Sequence, residues 1–144
     1  MARYRNKKKP PTLPDGCGYQ GHEFGAQYLD SQCFGGRLYD MDNGDGDLIF
    51  EPDEYLHCPN CRMEEWLENQ QEHIGSRIRH LEKSSLPHWH RVCRFVLKTN
   101  HDEAIRLLTG RFRVVKYVEF NEADYCFIDR EWTFDADAIE FPPQ

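Results

Sequence analysis

The chain has 144 residues, of which 30% are charged, 39% hydrophobic and 13% aromatic. That balance excludes disorder throughout and leaves room for one domain or for a small metal module beside a second small core, the arrangement expected here. The net charge of −7 is unevenly spread, with residues 1–16 at +4, 17–66 at −9, 67–98 at +3 and 99–144 at −5, so wholesale nucleic-acid binding is disfavoured and only the N-terminal tail and the 67–98 region can attract phosphates.

No apolar run reaches the length of a membrane span, and the basic start lacks the apolar stretch of a secretory signal. A cytoplasmic location without membrane association is therefore expected. In a reducing compartment the six cysteines favour metal ligation over disulfides.

Residues 1–14 combine Lys7-Lys8-Lys9 with Pro10, Pro11 and Pro14, which predicts a flexible, solvated tail that cannot bury apolar surface. A metal module is expected over 15–62. Its centre is Cys58-Pro59-Asn60-Cys61, two thiols three positions apart in a tight turn whose backbone N–H groups can hold them deprotonated. Two further ligands are needed. Cys17 and Cys33 are the candidates, in Asp15-Gly16-Cys17-Gly18 and Cys33-Phe34-Gly35-Gly36, where glycine lets a tight turn present a thiolate. His22 and His57 are reserve ligands. One structural zinc held by Cys17, Cys33, Cys58 and Cys61 is the expectation.

Between the ligands, apolar residues flank Asn43-Gly44-Asp45-Gly46, which predicts a β-hairpin with strands near 37–41 and 47–51. The acidic Asp40–Asp47 loop fails as a calcium loop: with Gly46 at position 6, Met41 falls at position 1 and Pro52 at position 12.

Over 63–134 a long helix followed by an α+β core is expected. Met63, Trp66, Leu67, Gln70, Ile74, Ile78 and Leu81 recur at helical spacing and predict an amphipathic helix over about 60–83. Ser84, Ser85 and Pro87 are read as breaking it. His90 to Lys98 alternates apolar residues on both faces and is expected to be a buried strand. Asn100 caps a short helix through Leu108, with Gly110 beyond its end. Two strands follow, carrying Phe112, Val114, Val118 and Phe120 on one and Cys126, Ile128, Trp132 and Phe134 on the other, joined by Asn121–Asp124. The fold class predicted is α+β: a zinc-ribbon-like hairpin module, a long helix, then a small β-α-β-β sheet. Residues 135–144 are expected to form an exposed acidic tail.

A zinc deaminase needs His-x-Glu and Pro-Cys-x-x-Cys, whereas here His57 precedes Cys58 and Glu23 directly follows His22. Hydrolase, nucleotide and metalloprotease motifs do not occur. Cys-Pro-x-Cys before a helix resembles the glutaredoxin active site, which implies Cys58 as a nucleophile; the chain departs from that family in having Leu108-Thr109-Gly110-Arg111 where a proline is required. His88-Trp89-His90 reads as ordinary polar positions rather than a second metal site. Cys93 and Cys126, with Trp66, Trp89 and Trp132, read as core residues.

The stretch from Cys33 through Asp42 and on to Cys58-Pro59-Asn60-Cys61 resembles small zinc-ribbon proteins of bacteriophages and mobile elements. The resemblance implies an accessory protein acting on a host target in the host cytoplasm. The function expected is non-enzymatic: a zinc-stabilised module binding a protein partner, such as a basic, nucleic-acid-processing host factor, through an acidic surface. A nucleic-acid adaptor using Lys7, Lys8, Lys9, Arg77, Arg79, Lys83, Arg91 and Arg94 is the alternative, and a thiol-disulfide enzyme the third.

Overall fold

The structure, a computed structural model, describes residues 14–24, 26–41, 52–75 and 85–137. The chain divides into two compact units, Met1–Arg62 and Met63–Gln144. Helices and antiparallel sheets are both present, an α+β chain.

In the first unit, β1 (Gln20–Gly21), β2 (Ser31–Phe34), β3 (Arg37–Asp40) and β4 (Pro52–His57) form one antiparallel meander in that order. The β2–β3 pairing runs from Ser31↔Asp40 to Phe34↔Arg37, which leaves Gly35 and Gly36 as a two-residue loop. Their φ values of 64° and 85° are the left-handed pair that the hairpin-favoured turn demands, and glycine adopts them without a Cβ penalty. Between β1 and β2, the buried Asp30 accepts hydrogen bonds from the N–H groups of Phe24 (3.3 Å) and Ala26 (2.8 Å). A carboxylate in that role satisfies loop donors that no strand reaches. Among the described residues, Phe34, Tyr39 and Met41 form one apolar cluster, and Cys33, Leu38 and Cys58 another.

The expected hairpin strand at 37–41 is present as β3, and β4 pairs with it at Arg37↔His57 and Tyr39↔Pro52, with a register shift between. The expected second strand at 47–51, its turn and the acidic Asp40–Asp47 loop beyond Met41 lie outside the described residues. So do the 1–13 part of the basic tail, residues 138–144, and Arg77, Arg79 and Lys83.

In the second unit, α1 (Met63–Gly75) turns Met63, Leu67 and Ile74 inward and carries Glu64 and Glu65 in its first turn, where carboxylates complement the helix dipole. The predicted helix over 60–83 begins three residues later than expected, and 76–84 are not described. The predicted strand at His90–Lys98 is a helix instead. α2 runs Ser85–Thr99 and buries Trp89, Val92, Cys93 and Val96, an i, i+3, i+4, i+7 stripe that fits one helical face. The alternating Cys93, Phe95 and Leu97 was a coincidence of β-branched and apolar residues in a helix buried along most of one side, and burial outweighs strand propensity. Pro87, read as a breaker, sits in the first turn of α2, where its missing N–H removes no helical bond. The sheet predicted as β-α-β-β is therefore α-α-β-β.

α3 (His101–Thr109) is capped as expected: the Asn100 side chain accepts from the Glu103 N–H at 3.4 Å. Gly110 follows it, and the Phe112 N–H bonds back to the Leu107 carbonyl at 2.9 Å. β5 (Val114–Asn121) and β6 (Cys126–Thr133) form a two-stranded hairpin in unbroken register from Val114↔Thr133 to Asn121↔Cys126. One face closes the core, since Val115 and Tyr117 join Met63, Leu67, Ile74, Trp89, Leu107, Leu108 and Phe112 in a single cluster. The predicted face of β5 is corrected at Val114, which is exposed while Val115 is buried; Val118, on the predicted face, is buried. Phe112 lies in the turn before the strand, so its burial does not propagate in steps of two. Cys93 is a core thiol, on a helix, but Cys126 is exposed at the hairpin end. Trp89 is fully buried, while Trp66 and Trp132 pack partly buried against the same core.

Candidate metal centre

Register places the four cysteines before any side-chain contact is considered. Cys33 lies near the end of β2, Cys58 directly follows β4, and Cys17 precedes β1, whose first residue Gln20 pairs with Gln32, next to Cys33. In an antiparallel meander those positions all fall at one end of the sheet. Segment 15–19 is held along β2 by two bonds, from the Cys33 N–H to the Tyr19 carbonyl (3.1 Å) and from the Gly35 N–H to the Asp15 carbonyl (3.0 Å). The approach is so close that a Cβ on Gly16 would stand 1.7 Å from the Cys33 carbonyl oxygen. Glycine is there for contact.

The sulfurs of Cys17, Cys33, Cys58 and Cys61 all lie within 4.8 Å of one another. Cys17 Sγ stands 3.6 Å from Cys58 Sγ, and Cys33 Sγ 3.6 Å from Cys61 Sγ. Four sulfurs about 2.3 Å from one tetrahedral zinc ion stand ~3.8 Å apart, so the set fits such an ion with little movement. A disulfide needs sulfurs about 2.05 Å apart, and all four cysteines are free. Cys33 and Cys58 are buried, Cys17 and Cys61 exposed. Among the described residues the cluster contains neither reserve ligand. His22 Nδ1 faces the Ala26 carbonyl oxygen at 3.3 Å, and His57 is half-buried on β4 opposite Arg37.

Two turns of equal length cradle the buried sulfurs. The Gly36 N–H donates to Cys33 Sγ, and the N–H groups of Asn60 and Cys61 donate to Cys58 Sγ. Each is the rigid donor geometry that holds a thiolate. The Cys58 N–H also bonds the Gly36 carbonyl at 2.8 Å, tying one turn to the other. Asn60 Nδ2 donates to Cys17 Sγ at 3.3 Å. The Asn60 side-chain bond to Cys17 was not read from the sequence, which marked this turn only for its backbone N–H groups.

Charge within the cluster is shared unequally. The Cys58 thiol, then the Cys17 and Gly36 N–H groups, hold Cys33 down at about 5 against its burial. Cys58 is pushed well above the ordinary thiol range, first as donor to Cys33 and then by burial. Burial, followed by hydrogen bonding to Cys33, pushes Cys61 up to about 12. Four thiolates this close repel one another, and a divalent cation is what lets all four lose their protons together. Beside them, Tyr19 and Ser31 both donate to the Glu23 carboxylate, at 2.9 and 2.5 Å, which braces β1 against β2. The chemistry is that of a site able to hold one soft or borderline metal ion through four sulfurs.

No protein-family model, curated protein or solved structure matches the chain. Among the described residues no helix is long and apolar enough to cross a membrane.

Proposed function

We propose that the protein is a non-enzymatic binding module whose first unit is stapled by one structural zinc ion on Cys17, Cys33, Cys58 and Cys61. The convergence of four thiols within 4.8 Å carries the proposal. Four sulfur ligands complete a tetrahedral zinc shell, which leaves no position for a substrate or an activated water. The same convergence favours metal over the glutaredoxin-like alternative, because Cys17 and Cys33 share the space that a free dithiol would keep for its substrate. The net charge of −9 over residues 17–66 suits a basic protein surface as partner, consistent with the accessory-protein role that the zinc-ribbon resemblance implies.

Purified protein is expected to carry one zinc per chain by elemental analysis. Cobalt substitution should give the intense charge-transfer and visible bands of tetrahedral thiolate ligation. Cys33→Ser and Cys58→Ser should each lose the metal. A folded chain free of metal, with Cys58 and Cys61 cycling reversibly between dithiol and disulfide, would sink the proposal.

One observation favours a second reading, the nucleic-acid adaptor. As a helix and not a strand, α2 places Arg91, Arg94 and Lys98 at i, i+3 and i+7, with no acidic residue in its first turn. A retained oligonucleotide complex whose affinity falls steeply with salt would support it.

A further inference from the structure

Two sulfur–sulfur contacts of 3.6 Å each join one exposed cysteine to one buried cysteine, in a cluster where the buried Cys58 also donates to Cys33 and the exposed Cys61 also meets Cys17. Cys17 (exposed) meets Cys58 (buried), and Cys61 (exposed) meets Cys33 (buried), both at 3.6 Å. Together they use each of the four sulfurs once. From this geometry we infer that the centre is a site of oxidative modification by peroxides, with the oxidised form crosslinked Cys17–Cys58 and Cys33–Cys61. The inference rests on the metal-centre reading above and adds to it which sulfurs react, in which order and to what product.

Reactivity follows thiolate character and access. A metal-held sulfur is kept as thiolate, and the exposed pair can be reached from solvent while the buried pair cannot. Cys17 or Cys61 attacks a peroxide oxygen; the O–O bond breaks, hydroxide departs, and the sulfur becomes a sulfenic acid, oxidised by two electrons. The buried partner then attacks that sulfur, the S–S bond forms, and a second hydroxide leaves. Each disulfide thus consumes one peroxide and two protons and yields two waters. The two disulfides would no longer hold a bound zinc ion, which would be released with its oxidation state unchanged, because a disulfide sulfur is no longer an anionic ligand. The Cys58–Cys61 bond, which Cys-x-x-Cys spacing alone suggests, is not one of the two 3.6 Å contacts, in which Cys58 faces Cys17 and Cys61 faces Cys33.

The experiment uses the full-length chain, as wild type and as Cys126→Ser, which removes the exposed thiol outside the cluster. Zinc content is measured first, then hydrogen peroxide is added. A chromogenic chelator follows metal release, and non-reducing peptide mapping, with fragmentation between Cys58 and Cys61, assigns the crosslinks. The expected result is one zinc released per chain in step with two disulfides, Cys17–Cys58 and Cys33–Cys61, both reversed by a thiol reductant and zinc. A folded chain without zinc before oxidant is added overturns the metal-centre reading and this inference together. Zinc retained after wild-type Cys126 has been fully oxidised, or a dominant Cys58–Cys61 crosslink, overturns the inference alone.

Discussion

A single missing side chain places one of the four clustered cysteines. At Gly16 an added Cβ would overlap the Cys33 carbonyl at 1.7 Å, and backbone, unlike the end of a flexible side chain, has nowhere to go. By contrast, at Gly18 an added Cβ meets nothing within 4 Å, and only its φ of 93° opposes substitution. Gly16→Ala is therefore expected to push segment 15–19 off β2, with a cost of about 1–3 kcal/mol as for other overpacked sites, and to weaken metal binding through Cys17. A competition titration against a chelator of known affinity measures it, and unchanged zinc affinity would show that Cys17 is dispensable. The sequence marked the glycines around Cys17 as permissive turns. It did not show that one of them is required for contact, because the strand it touches is seventeen residues away.

Among the elements, α2 shows how local pattern and tertiary burial compete. His90 on α2 lies with its ring 5.0 Å from that of Trp132 on β6, so helix and hairpin meet at a titratable group. Burial, and then the nearby Arg94 cation, depress the His90 pKa below its ordinary value. A histidine with a depressed folded-state pKa binds its proton more readily when unfolded. Its contribution to stability is therefore complete above about pH 6.5 and is lost as pH falls through the lower folded-state value. The second unit should lose melting temperature on acidification below that point, and His90→Gln should flatten the dependence. An identical slope in the variant would place the acid sensitivity elsewhere. The same helix explains what went unread in the sequence: α3 and its Asn100 cap were legible because capping is local, whereas α2 carries both a two-residue and a 3.6-residue apolar pattern, and only the neighbouring core selects between them.

At the scale of the whole molecule, the two units hold together by different means. The second buries Trp89, Leu107, Leu108, Phe112 and Val115 almost completely in one core, while among the described residues the first has two small clusters, one of them containing Cys33 and Cys58 themselves. Small units of that kind depend on a metal or an equivalent staple. All three tryptophans, Trp66, Trp89 and Trp132, fall in the second unit, so their fluorescence reports on that unit. A strong chelator should collapse hydrogen-exchange protection in β2–β4 while tryptophan emission stays native, and loss of both together would show that the second unit depends on the metal. The sequence by itself singled out four thiols able to hold a metal ion, because thiol pairs and glycine turns are properties of short segments. Only the tertiary structure decided that Cys17 and Cys33 reach Cys58 and Cys61, that α2 is a helix, and that Val115 rather than Val114 faces inward. Each of those outcomes depends on strand register and on which surface a neighbouring element covers, and no stretch of chain carries that information alone.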